Sequence, residues 1–179
     1  MGIIPKMINL NIDVVEDGLT PEENAIKKAS QYYEAAKMPT IAEDSGLYID
    51  KFSDDEQPGL FVKRVNGVEG LSDEEILQYY LVKLNQYGRE SLAAYHTGVC
   101  LIDEDGKAYS TVLEEEKFKM TTEVDEKSKG KSGGVLNCIS YDINANKYFN
   151  DRAEEDIKNH YKRLDEEYKG LVKKYILKK

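Results

Sequence analysis

Three acidic side chains carry the strongest chemical signal in this sequence. Glu23 opens a helical stretch, and Glu43 and Asp44 lie between two short apolar segments, Thr40–Ala42 and Leu47–Asp50. Magnesium prefers one or two carboxylates together with the phosphates of a substrate. Glu23 and Asp44 can supply that pair if the fold brings them together. Each also has a plainer reading. Glu23 is fully explained as the closing residue of a capping box, and Asp44-Ser45-Gly46 as an ordinary turn. Glu43 is equally suited to solvent.

The remaining reactive residue types add less. His96 lies in a strand-like stretch beside Tyr95 and Thr97, where a packed or exposed role is expected. His160 lies on the tail and is expected to be solvated. The spacing suggests no Ser–His–Asp or Cys–His arrangement. Lys127, Lys129 and Lys131 flank Gly130, Gly133 and Gly134. Such a loop can close over phosphates, but the simpler reading is a solvated surface loop. Neither a Walker A pattern nor a dinucleotide fingerprint is present.

The elements that must position these groups follow from local patterns. Ile8–Val15 reads as a strand or extended lead-in. Thr20 as N-cap, Pro21 at the first helical position and Glu23 predict a helix to about Lys37, with Ala25, Ala29, Tyr32 or Tyr33, and Ala36 on its buried face. Glu43–Gly46 reads as a tight polar turn between two strands. Ser72-Asp73-Glu74-Glu75 is a second capping box, and the helix behind it buries Ile76, Leu77, Tyr80, Leu81 and Leu84. Leu92–Asp103 and Lys107–Met120 form a long hairpin. Val135–Tyr141 reads as a last core strand. From about Ala153 a tail helix carries Ile157, Tyr161, Leu164, Tyr168, Leu171 and Tyr175 at heptad-like spacing.

Helices alternating with strands, interrupted by a hairpin, imply an α/β fold. The expected architecture is a mixed twisted sheet with flanking helices, a long β-hairpin and a C-terminal helix. The 179 residues suit a single domain over residues 1–179, with 153–179 as the C-terminal helix. A net charge of −9 argues against nucleic acid as a partner. It does not exclude a nucleotide carried with magnesium. Cys100 and Cys138 cannot make a disulfide framework and match no zinc spacing; two thiols in a reducing cytosol are expected. No apolar run approaches the ~20 residues of a membrane span, and the first ten residues do not suit a signal peptide. The expected location is the cytoplasm, with no membrane partner.

Taken in order, TPEENAIKKA (residues 20–29), IAEDSGL (41–47) and QPGLFVKRVNG (57–67) resemble the motifs of the inosine triphosphate pyrophosphatase family. The likeness covers roughly residues 8–150 and is weaker after the hairpin. GGVLNCISYD (133–142) is similar to the end of the core in a bacterial branch. The resemblance implies hydrolysis of inosine or xanthosine triphosphate, or related non-standard purine nucleotides, to a monophosphate and pyrophosphate. It implies Mg2+ as cofactor, a purine nucleoside triphosphate as substrate and a homodimer. By matching position, Glu23 is a metal ligand. Asp44 is a metal ligand or the catalytic group that orients water. Ser45, Arg64, Tyr141 and Asp142 contact substrate.

The family also begins with a strand and a lysine motif of the type TGNxxK, which grips phosphates. That unit, on the order of 30 residues, is not found ahead of residue 8, so reduced activity is expected. Asp156 stands behind Glu154 and Glu155 where the family has lysine, and His160 and Arg163 are only loosely comparable to its terminal His-Arg pair. The alternative is a weak or inactive relative that binds nucleotides or a protein.

Overall fold

Thr20, Pro21 and Glu23 start a helix as their types require. The computed structural model describes residue 10, residues 12–130 and residues 134–175. In it α1 spans Pro21–Ala36, and the Thr20 hydroxyl accepts the Glu23 N–H at 3.2 Å. The expected capping box is altered on its return arm. Glu23 reaches past the cap, and its Oε2 accepts the Leu19 N–H at 2.7 Å. The helix stops at Lys37, which adopts a left-handed conformation and donates its N–H to the Tyr33 carbonyl.

Beyond α1, strand β1 runs unbroken over Thr40–Ile49. The expected turn at Glu43–Gly46 is therefore corrected. Local turn preference loses here because side-chain partners on neighbouring elements take up Asp44 and Ser45, and the backbone stays extended. After a 3-10 turn at Asp54–Glu56, α2 follows over Asp73–Gln86. Its capping box forms as expected: Ser72 and Glu75 exchange side-chain and backbone bonds. It buries Ile76, Leu77, Tyr80 and Leu84, with Leu81 partly covered.

The hairpin is real but its second arm is broken. Strand β2 covers Glu90–Ile102, β3 Ala108–Glu114 and β4 Phe118–Thr121. Both later strands pair antiparallel with β2. His96 opposes Glu114, whereas Ala93 opposes Phe118. Two residues of β2 thus face three between β3 and β4, the signature of a β-bulge. The expected last strand, Val135–Tyr141, is corrected too. Asn137–Ile139 forms a 3-10 turn, and the strand β5 is only Ser140–Asp142, paired with β6 at Lys147–Tyr148. The sheet order is β1-β2-β4-β5-β6, with β3 on β2, and each pair with a described register is antiparallel. Helix α3 spans Glu154–Tyr175.

The chain divides into two compact units, each with its own core. The first holds the described residues up to Gly46, His96–Glu114 and the described residues from Leu164. Its small core is Ala25, Ala29, Cys100 and Ile102, with Tyr33 and Ala42 against it. Alanines on α1 allow the helix to lie close to the strands. Gly98 takes this furthest: a Cβ there would stand 2.4 Å from the Pro21 carbonyl carbon and the Glu22 nitrogen. The second unit holds Leu47–Tyr95 and Glu115–Arg163. Its larger core includes Leu47, Ile49, Ile76, Tyr80, Leu84, Phe118, Met120 and Ile139. Both cysteines are buried free thiols. Among the described residues no helix is long and apolar enough to cross a membrane.

Candidate active site

Asp44 is the best-engaged of the three acidic candidates, and its environment is built by one turn of α1. Asn24 and Lys28 are four residues apart and so share a helix face. Asn24 Nδ2 donates to Asp44 Oδ2 at 2.8 Å, and Lys28 Nζ donates to Asp44 Oδ1 at 2.8 Å. Lys28 also pairs with Glu16 at 3.0 Å and donates to the Glu43 carbonyl at 3.2 Å. Partial burial works to lower the Lys28 pKa, but the hydrogen bonds to Asp44 and Glu16 outweigh it, and the ammonium is held above its usual value. This corner of the first unit therefore holds two carboxylates on one persistent cation.

The neighbours differ in exposure. Ser45 Oγ lies 2.7 Å from the Thr97 hydroxyl on β2, and Thr97 is buried. Glu43 points the other way along β1 and accepts from the Tyr168 hydroxyl of α3. Glu23 is exposed, with one carboxylate oxygen taken by Leu19 N–H. His96 sits 3.8 Å from Glu114 across the β2–β3 pair.

The remaining expected site residues lie in the second unit. Arg64 is exposed, pairs with Glu69 at 3.2 Å and stacks its guanidinium over the Phe61 ring at 5.0 Å. Tyr141 donates its hydroxyl to Asn146 Oδ1 at 2.7 Å, and Lys119 lies over its ring. Asp142 is buried, and its carboxylate is already committed. Oδ1 accepts the N–H groups of Asn144 and Ala145, while Oδ2 meets Arg152 at 3.3 Å and His160 Nδ1 at 3.6 Å.

His160 corrects the expectation of a solvated tail histidine, since it is 5% exposed. It packs edge-on to Phe149 and Tyr161. The charged neighbours that meet it come from β5 and from Arg152, just ahead of α3. Burial pushes its pKa down, Arg152 adds to that, and Asp142 pulls the other way. The short approach to Asp142 alone would favour a charged ring; burial outweighs it because the whole imidazole is enclosed. Asp156 also gains a structural reason. It caps α3 by accepting the Ala153 N–H at 2.8 Å and pairs with Lys147 at 2.6 Å. In the glycine loop, Lys129 pairs with Glu74 of α2 at 2.9 Å. Lys131 and Gly133 lie outside the described residues.

Asn24 and Lys28 were absent from the expected site. A polar Asn followed one turn later by Lys, immediately after an acidic helix start, was the signal available for them. Among the described residues no three of His, Cys, Asp and Glu gather as a metal cage. Asp44 and Glu16, which share Lys28, are hard oxygen donors in small number, and Glu23 stands at the exposed start of α1. That set suits an ion that takes one or two carboxylates and completes its shell with phosphate and water, not an ion held by protein alone.

The Ham1 family model matches residues 3–133. The chain belongs to the Ham1 family. This Ham1 chain is 38% identical over 99 residues to a dITP/XTP pyrophosphatase of Geobacter sulfurreducens, covering 55% of the chain and 48% of that relative. It is 33% identical over 103 residues to a dITP/XTP pyrophosphatase of Leptospira interrogans, covering 57% of the chain and 50% of the relative. It thus spans about half the length of these curated relatives. Among solved structures, the Ham1 protein of Staphylococcus aureus superposes with a TM-score of 0.69 at 24% identity, over 91% of this chain and 81% of that one. A HAM1 protein from Coxiella burnetii matches to the same degree. These structures show that the Ham1 chain has the family's α/β fold.

Proposed function

We propose that this chain hydrolyses non-standard purine nucleoside triphosphates, such as those of inosine or xanthosine, to the monophosphate and pyrophosphate. The observation that carries the reading is the clamp on Asp44 by Asn24 and Lys28, in a member of the Ham1 family. Relatives named dITP/XTP pyrophosphatase support the substrate class. In this reading Asp44 and Glu23 hold Mg2+, which neutralises phosphate charge when bound. Asp44 orients the attacking water, and Lys28 supplies a positive charge beside it. Phosphoryl transfer rests on such positioning and charge neutralisation. Ser45, Arg64 and Tyr141 contact substrate, whereas Asp142 acts by holding Arg152 and His160 in place. The chain works as one nucleotide-pyrophosphatase-like domain, in a homodimer.

Phosphorus NMR of the products from inosine triphosphate with Mg2+ tests the assignment. Pyrophosphate and a monophosphate are expected, with no turnover in excess chelator. Orthophosphate as the sole inorganic product, or unchanged turnover in chelator, overturns it.

A further inference from the structure

A buried side chain can decide how a half-buried carboxylate presents itself. Asn24 is 4% exposed, at the first turn of α1. Its Oδ1 accepts the Gly18 N–H at 2.8 Å, and its Nδ2 donates to Asp44 Oδ2 at 2.8 Å. The two bonds settle the orientation of the amide. Because the oxygen must face an N–H donor, the NH2 must face Asp44. Gly18 locks the arrangement from behind. A Cβ on it would stand 2.6 Å from Asn24 Oδ1 and 2.9 Å from the Glu23 Cβ. The loop ahead of α1 therefore closes directly onto the amide.

Asp44 is then held at both oxygens, by a neutral donor on one and the Lys28 ammonium on the other. A carboxylate oxygen has two acceptor positions, so among the described residues each oxygen retains one direction for a further ligand. Fixing both oxygens fixes those directions. Lys28 is a flexible point charge and cannot alone choose a rotamer for Asp44. The planar amide of Asn24, pinned by Gly18, can.

We propose that Asn24 is the positioning residue of this site: its amide sets the carboxylate plane of Asp44 for the divalent cation and water. The inference rests on the reading of Asp44 given above.

The variant that separates positioning from packing is Asn24→Asp. Its carboxylate is nearly isosteric, still accepts the Gly18 N–H and suits a helix N-terminus, but offers Asp44 an acceptor in place of a donor. Asn24→Ser, too short to bridge both partners, serves as the second variant. The parent chain, both variants and Asp44→Asn are compared by thermal melting, by calorimetric titration with Mn2+ alone, and by turnover of inosine triphosphate. Asn24→Asp is expected to melt below the parent, because its carboxylate is buried against that of Asp44, and in its folded fraction to shift the Mn2+ dissociation constant at least threefold and to lower kcat at least tenfold. Asn24→Ser is expected to lower kcat in its folded fraction as well.

Parent-like Mn2+ titration and kcat in folded Asn24→Asp overturn the proposal. So does an Asn24→Ser loss that only tracks its unfolded fraction, should Asn24→Asp fail to fold. If Asp44→Asn itself behaves as the parent, the underlying site reading fails, and Asn24 is left as a packing residue.

Discussion

At the scale of single residues, the central fact is that a carboxylate on a strand is held by a helix. Asp44 contributes charge and Lys28 and Asn24 contribute geometry. Asp44→Asn keeps the shape but removes the charge, and an amide NH2 would face a cationic or amide donor on one side. Turnover is expected to fall by a factor on the order of 10²–10³, the usual cost of losing a group that stabilises transition-state charge, with far-UV circular dichroism unchanged. Retained turnover would show that Asp44 serves only the strand.

His160 makes a separate prediction about pH. Burial and the Arg152 cation hold its pKa below the ordinary 6.5, against the pull of Asp142 and Glu116. The unfolded chain therefore binds this proton first as pH falls, and stability rises with pH wherever the unfolded state holds more protons. From about pH 6.5 downward the parent should lose stability, until the enclosed ring is itself protonated. Urea midpoints between pH 7 and pH 5 check this. The slope should be smaller in His160→Asn, and an equal slope in both proteins rules His160 out as its source.

Between elements, the close approach of α1 to β2 is what brings Asn24 and Lys28 within reach of Asp44. The approach depends on Gly98 and on the two buried alanines, Ala25 and Ala29. Gly98→Ala puts a methyl against helix backbone, which cannot swing aside as a side chain could. Overpacking of this kind costs about 1–3 kcal/mol. The expected result is a lower urea midpoint together with weaker Mn2+ binding, because any shift of α1 carries the clamp with it. A stable variant with parent-like Mn2+ binding would show that the clamp tolerates movement of the helix. On the other side of β2, the one-residue slip between β3 and β4 leaves Glu115 buried and bonded through its N–H to the Tyr95 carbonyl at 2.9 Å. The Tyr95 hydroxyl there is pushed up to about 12, first by burial and then by nearby Tyr161 and Glu115.

For the whole molecule, the tail helix carries the question of assembly. Its stripe is only partly covered by the chain itself: Ile157 is 38% exposed, while Tyr175 stacks on Tyr109 with centroids 4.1 Å apart. A homodimer is expected in multi-angle light scattering at micromolar concentration, with α3 protected from hydrogen exchange. A monomer at every accessible concentration would confine the packing of the stripe to contacts within one chain.

How far the sequence reached depends on the range of the interaction involved. Thr20-Pro21-Glu22-Glu23 and Ser72-Asp73-Glu74-Glu75 determined two helix starts, because a cap is satisfied within four residues. The ordered motifs TPEENAIKKA, IAEDSGL and QPGLFVKRVNG pointed to the family, and the first two singled out Glu23 and Asp44 as candidates. Three features were decided only by tertiary structure. Asp44-Ser45-Gly46 stays extended, since its polar groups find partners on α1 and β2 that no local pattern contains. His160 is enclosed because Asp142 and Phe149, distant in sequence, meet it from outside its own helix. Asn24 and Lys28 reach Asp44 only because α1 lies close on the strands at Gly98. In each case the sequence specified the donor and acceptor types, and long-range packing chose which of them would meet.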